Sequence, residues 1–145
     1  MTNVIKKLNV YLADLNVMYR KVQNYHWNVD GRNFFTIHAK LEEYYDEINE
    51  NIDSIAERIL SIKGRPYEKK KKYLEITNIK EANDEEITDL DLVKILKADF
   101  ETLLGEVKDI KAAADKADDY GTSAMMDELI TGYETKLWML GAFLK

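Results

Sequence analysis

Apolar residues recur at three- and four-residue steps along this chain, and the stretches that carry them are long. Leu8, Leu12, Leu15, Tyr19 and Val22 make one such stripe. Ile37, Leu41, Tyr44, Ile48, Ile52, Ile55 and Ile59 make a second, and Leu92, Ile95, Leu96, Phe100, Leu103, Val107 and Ile110 a third. A stripe of that period is buried only if the backbone is helical. The spacing predicts helices from about Asn3 to Trp27, from Asn33 or Phe34 to Ile62, and from Thr88–Asp89 to near Ala117. A fourth, richer in mixed residues, is predicted over about Ser123 to Leu144. Asp30-Gly31 is a turn signal. Gly64 and Pro66 are placed to stop the second helix, as a C-cap glycine with a following proline does.

Four amphipathic helices bury their stripes only against one another, so the predicted class is all-α: a four-helix bundle within one domain, residues 1–145. The breaks at Asp30-Gly31 and at Asp118–Thr122 are short and favour antiparallel neighbours. The connection from Arg65 to Thr88 is long enough to cross the bundle, and Lys69–Leu74 within it is a candidate short helix. A bundle with one long crossover between its second and third helices has ferritin-like topology. Gly105, Gly132 and Gly141 fall inside predicted helices and are read as marks of close helix approach. Trp138 and Met139 are read as packing residues.

Composition narrows the function. The 145 residues carry 21 basic and 27 acidic side chains, a net charge of −6, which repels phosphate backbones and attracts cations. There is no cysteine, which excludes disulfides and thiolate metal sites. No apolar run is long enough to span a membrane, and the N-terminus lacks an apolar signal core, so a cytoplasmic location is expected.

Both histidines, His26 and His38, lie in one stretch, and Glu42 follows His38 by four residues. Asp53 and Glu57 form a second pair four apart. Residues i and i+4 share a helix face, and imidazole with carboxylate suits iron, zinc or manganese. From His38 to Asp53 is about 22 Å along a helix at ~1.5 Å per residue, so one helix cannot close the site on itself. Two copies laid antiparallel about a two-fold axis between Glu47 and Ile48 bring position 42 opposite 53 and position 38 opposite 57. Such a dimer interface pairs residue i with j and j with i. Spacing thus points to two identical metal sites, each built from both subunits. The chain has no Glu-x-x-His motif, the usual signature of a di-iron centre inside one bundle.

The run NYHWNVDGRNFFTIHAKLEEYYDEINENIDSIAER, Asn24 to Arg58, resembles the signature of the Dps family, ferritin-like mini-ferritins named as DNA-binding proteins from starved cells. The pieces that carry the resemblance are His26-Trp27, Phe34-Phe35-Thr36-Ile37-His38 and Asp53-x-x-Ala56-Glu57-Arg58, with Lys136-Leu137-Trp138-Met139 near the end. The resemblance implies a hollow shell of twelve subunits built on two-fold dimers. It implies that iron binds between His26 and His38 of one subunit and Asp53 and Glu57 of another, with Glu42 a further acid beside them. The implied activity is that of a ferroxidase: Fe²⁺ is oxidised, with hydrogen peroxide as the preferred oxidant, and stored as Fe³⁺ mineral, which protects against oxidative stress.

The same resemblance suggests roles for other residues. Trp27 either packs at a helix end or stands beside the iron and intercepts oxidising equivalents. Asp115, Asp118 and Asp119 either make a solvated turn or line three-fold pores for Fe²⁺, with Ala124 departing from relatives that carry an acid there. Lys69 to Lys72 fits a solvated loop. DNA-binding members carry a mobile Lys-rich tail, and no such tail is expected here, so DNA compaction is the second reading of function.

Overall fold

The computed structural model describes residues 1–145, and its architecture is the expected one: four long helices and a crossover that carries a short fifth. Helix α1 is Thr2–Asn28, α2 Phe34–Ser61, α3 Lys70–Ile76, α4 Asp89–Lys116 and α5 Tyr120–Phe143. Helices α1 and α2 pack as one hairpin and α4 and α5 as another, and α1 touches both α4 and α3. Two dipeptide strands join the hairpins. β1 (Val29–Asp30) pairs in parallel with β2 (Ile87–Thr88), Val29 opposite Ile87. That bridge brings the start of α4 beside the turn between α1 and α2.

The core is the set of predicted stripes. Leu8, Leu12, Leu15, Val22, Leu41, Ile55, Ile59, Leu92, Leu96, Phe100 and Leu103 are almost wholly buried in one cluster. Burying a large aliphatic side chain contributes ~1.5–3 kcal/mol, so the stripes dominate the bundle's stability. Phe100 stands between Tyr44 and Tyr133, with ring centroids 5.4 and 5.9 Å away. Ile95 departs from its stripe and is 37% exposed, because the Leu92–Leu96–Phe100 row already faces the bundle.

The helix ends have identifiable chemistry. Thr88 caps α4, its hydroxyl accepting from the Asp91 amide at 3.2 Å, and Asp89 and Asp91 place negative charge in the first turn. At the end of α2 the Gly64 amide reaches the Ile59 carbonyl and the Lys63 amide the Leu60 carbonyl, a Schellman motif. The left-handed residue is Lys63 (φ 69°), not Gly64 as the sequence pattern suggests. Gly64 is required for a different reason. A Cβ there would lie 2.9 Å from the methyls of Ile5 and Ile59.

The α4–α5 connection is shorter than expected. Asp118 takes the left-handed conformation (φ 55°), the Asp119 amide reaches back to Ala114, and the Asp119 side chain caps α5 at Thr122. The reversal is therefore complete by Asp119, and α5 starts at Tyr120 rather than Ser123. Nor do the helix-interior glycines mark close approaches within the chain. Nothing lies within 4 Å of a Cβ built on Gly105 or Gly132, and Gly141 meets only the Lys97 side chain at 3.8 Å. Trp138 and Met139 are 69% and 49% exposed, so neither is packed into the core of this chain.

Candidate metal centre

The turn between α1 and α2 positions both histidines. Gly31 reverses the chain at φ 131°, a conformation other residues rarely adopt, and its missing Cβ leaves room for the Asp89 carboxylate 3.0 Å away. Asp89 accepts from the Asn33 amide (3.1 Å), the Asn33 side chain (3.0 Å) and the Leu90 amide (2.7 Å). Burial works against its charge, but these bonds outweigh it and hold the Asp89 carboxyl below the usual range. The start of α4 thereby pins the turn, and His26 on α1 is held against His38 on α2.

Their geometry is reciprocal. Nδ1 of His26 lies 2.7 Å from the His38 carbonyl oxygen, and Nδ1 of His38 lies 2.7 Å from the His26 carbonyl oxygen. A carbonyl only accepts, so each Nδ1 must carry the hydrogen. When the rings are neutral, each Nε2 then presents a free lone pair, the tautomer a metal requires. The two rings stack at 3.7 Å and 12°. Phe34 stacks on His38 at 5.0 Å, and Tyr45 meets His26 edge-on at 5.3 Å. His26 is 7% exposed, which leaves it little freedom to turn.

Glu42 lies beside His26. Its Oε1 is 3.9 Å from His26 Nε2, and the Tyr45 hydroxyl donates to it at 3.4 Å. Asp53 and Glu57 do not join. They stay exposed four turns further along α2, within hydrogen-bonding reach of each other, and that proximity and the Asp53 charge push the Glu57 carboxyl up. Two carboxylates in contact repel unless a proton or cation lies between them. The chain thus places the two imidazoles, with Glu42 beside His26 alone, at one end of α2 and a carboxylate pair at the other. No cluster of three or more metal-binding side chains closes within it.

Two of the expected neighbours are placed otherwise. Trp27 is 58% exposed and stands under the Arg20 guanidinium at 5.8 Å, so it is not a core residue of this chain. Asp119 is 7% exposed and committed: Arg58 Nη2 donates to it at 2.8 Å, and the same guanidinium donates from Nε to Thr122 at 2.9 Å. That removes Asp119 from the acidic group, whereas Asp115 and Asp118 are exposed. Sequence reasoning named Arg58 only as part of the resemblance and missed its role, which is to fasten the segment bearing Glu57 to the start of α5. The one local signal was an N-cap pattern, Asp119 three residues before Thr122.

Residues 5–145 match the ferritin-like domain family. The chain is 45% identical over 138 residues to the "DNA protection during starvation protein" of Brevibacillus brevis, covering 95% of this chain and 92% of that one. The crystal structure of a Dps protein from Bacillus brevis superimposes with a TM-score of 0.96 at 44% identity, covering 99% of this chain and 96% of that. A Dps protein from Vibrio cholerae O1, described as a member of a broad superfamily of ferritin-like diiron-carboxylate proteins, gives 0.95 at 39% identity, covering 99% and 90%.

Proposed function

We propose that this chain, which belongs to the Dps family of ferritin-like proteins, binds and oxidises Fe²⁺ at centres shared between two subunits and stores the Fe³⁺ within a shell of twelve. The observation that carries the reading is the reciprocal histidine pair, whose two Nδ1 hydrogens are spent on backbone carbonyls so that both Nε2 atoms are free to bind metal. An Asp53–Glu57 pair from the neighbouring subunit supplies the anionic oxygens that favour the ferric product. In that arrangement the iron lies between the two carboxylates and offsets their mutual repulsion.

With hydrogen peroxide as oxidant, two Fe²⁺ each give up one electron. The O–O bond breaks, two protons are taken up, and two waters leave without release of a hydroxyl radical. The chain's own groups hold the substrate ions, keep the imidazole tautomer correct and leave open positions for peroxide.

Exposed apolar side chains support assembly. Phe35 is 84% exposed, Trp138 and Tyr120 69%, and Trp27 58%. Monomers rarely present so many large apolar groups without a partner. The net charge of −6 favours protection of DNA by removal of iron and peroxide over coating of phosphate backbones.

The test is complementation between two dead variants. His26→Ala/His38→Ala and Asp53→Ala/Glu57→Ala should each assemble and lose rapid iron oxidation. Equal co-assembly should restore about a quarter of the wild-type rate, because half the two-fold pairs are hybrids and each hybrid has one intact site of two. A mixed shell as inactive as its parents would refute a shared centre.

A further inference from the structure

A second pair of carboxyls lies in the bundle, away from the histidines. Asp14 on α1 is fully buried. Its Oδ1 accepts from the Thr77 hydroxyl at 2.6 Å and the Asn78 amide at 2.7 Å, which ties the segment after α3 to the bundle. Its Oδ2 receives no hydrogen bond, and neither oxygen of Glu106, on α4, accepts a well-formed one, although all three atoms are shut away from solvent. The two carboxyls are nonetheless within hydrogen-bonding reach of each other. Two ionised carboxylates cannot bond, and a buried orphan oxygen is costly, the more so when charged. One proton between them removes the repulsion and satisfies both oxygens.

No cation takes that place. Lys6 and Lys7 border the 280 Å³ cleft that Glu106 lines, but Lys7 is engaged by Asp109 on α4. On the core side the facing groups are the hydroxyls of Tyr11 (α1) and Tyr133 (α5), bonded to each other, and Glu47 (α2), whose partner is Lys136 at 2.9 Å. From the crossover come the Thr77 hydroxyl and the Asn78 amide on Asp14 and the Asn78 side chain on Glu106. Lys6 is exposed and pairs with neither carboxyl, so the groups in the core that bear on the pair are neutral or negative, apart from Lys136, which Glu47 already holds.

We propose that Asp14 and Glu106 share one proton, and that this proton is a pH-sensitive latch holding the α3 crossover on the bundle. While it is present, Glu106 donates to Asp14 Oδ2, and Asp14 Oδ1 keeps its grip on Thr77 and Asn78. When it leaves, two adjacent negative charges push α1 and α4 apart at the point where the crossover docks. Burial first, then the Asp14 bond and charge, push the Glu106 carboxyl up to about 9, against the smaller opposing effect of Asn78. A carboxyl raised in the folded protein stabilises it fully below its ordinary range near 4.5, and the contribution is lost as pH rises towards 9.

Glu106→Gln tests the latch, because an amide donates to Asp14 at every pH. In thermal melts of the intact protein, the melting temperature of Glu106→Gln relative to wild type should rise by roughly 5 °C or more between about pH 5 and about pH 9, then level off. Exchange of the Asn78 amide should accelerate in wild type over the variant above about pH 9. A difference independent of pH, or an unchanged exchange ratio, would overturn the proposal. Should Glu106→Gln fail to assemble, infrared spectra of wild type decide. A protonated-carboxyl carbonyl band should persist at neutral pH and vanish above about pH 9, and its absence at neutral pH would overturn the proposal equally.

Discussion

Asp119→Ala is the perturbation whose cost is best defined by the structure. The carboxylate does two things, and each has a magnitude. It caps α5 by accepting from the Thr122 amide at 3.2 Å, and loss of such a cap costs ~1 kcal/mol, within about 0.5–2. It also neutralises Arg58 at 2.8 Å. Removing one partner of a fully buried pair costs ~3–5 kcal/mol, but the Arg58 side chain is 24% exposed and keeps its bond to Thr122. Water can reach part of the stranded guanidinium, so about 1–2 kcal/mol is the fitting share. The sum is about 2–4 kcal/mol.

Urea unfolding at fixed protomer concentration and neutral pH measures it, and the midpoint should fall by about 1–2 M. The acid limb gives an independent check. Burial disfavours the Asp119 charge, but the bonds from Thr122 and Arg58 prevail and hold the carboxyl below its ordinary value. Its stabilisation is therefore present above about pH 4 and lost as pH falls through the lowered folded value, so the gap between wild type and Asp119→Ala should close in acid. Asp119→Asn should retain the cap and lose only the ionic part. A loss under about 0.5 kcal/mol at neutral pH, or a gap unchanged in acid, would show that Arg58 and Asp119 do not fasten α2 to α5.

Three further outcomes are expected. Gly64→Ala should lower stability by about 1–3 kcal/mol in thermal melts, since its Cβ meets Ile5 and Ile59 at 2.9 Å, whereas Gly105→Ala, with open space around it, should raise stability by about 0.5–1. Phe100→Ala removes a fully buried ring between two tyrosines and should cost about 3–5 kcal/mol, read by urea unfolding. Binding of Zn²⁺, measured by calorimetry as a redox-inert probe, should weaken as pH falls, because protons compete for the imidazoles and for Glu57 alike. The Glu57 carboxyl carbon, followed by NMR in the metal-free protein, should titrate above the ordinary glutamate range and move back towards it in Asp53→Asn, and an unmoved titration would refute the coupling.

What sequence alone determined was everything written in local periodicity. The three stripes announced the first three long helices, and all but a few of their residues are buried as expected. The intervals among His38, Glu42, Asp53 and Glu57 divided these candidate ligands into two pairs on one helix, and in the folded chain no cluster of three or more forms within one subunit. These features survive translation from sequence because positions three, four and seven apart share a helix face whatever surrounds them.

Periodicity does not say what covers an apolar face, so Ile95, Trp138 and Met139 were read as buried or packed, as was Trp27 in one of its two readings, when this chain leaves them exposed. It says nothing of partners 61 or more residues away, so Arg58 with Asp119, and Asp14 with Glu106 and Thr77, emerged only from the packed bundle. Gly64 looked like a flexible cap until its neighbours appeared within 2.9 Å. Local spacing constrains torsions and faces. Which charges meet, and which carboxyl must keep a proton, depends on how helices distant in the chain come to rest against one another, and that is a property of the tertiary structure.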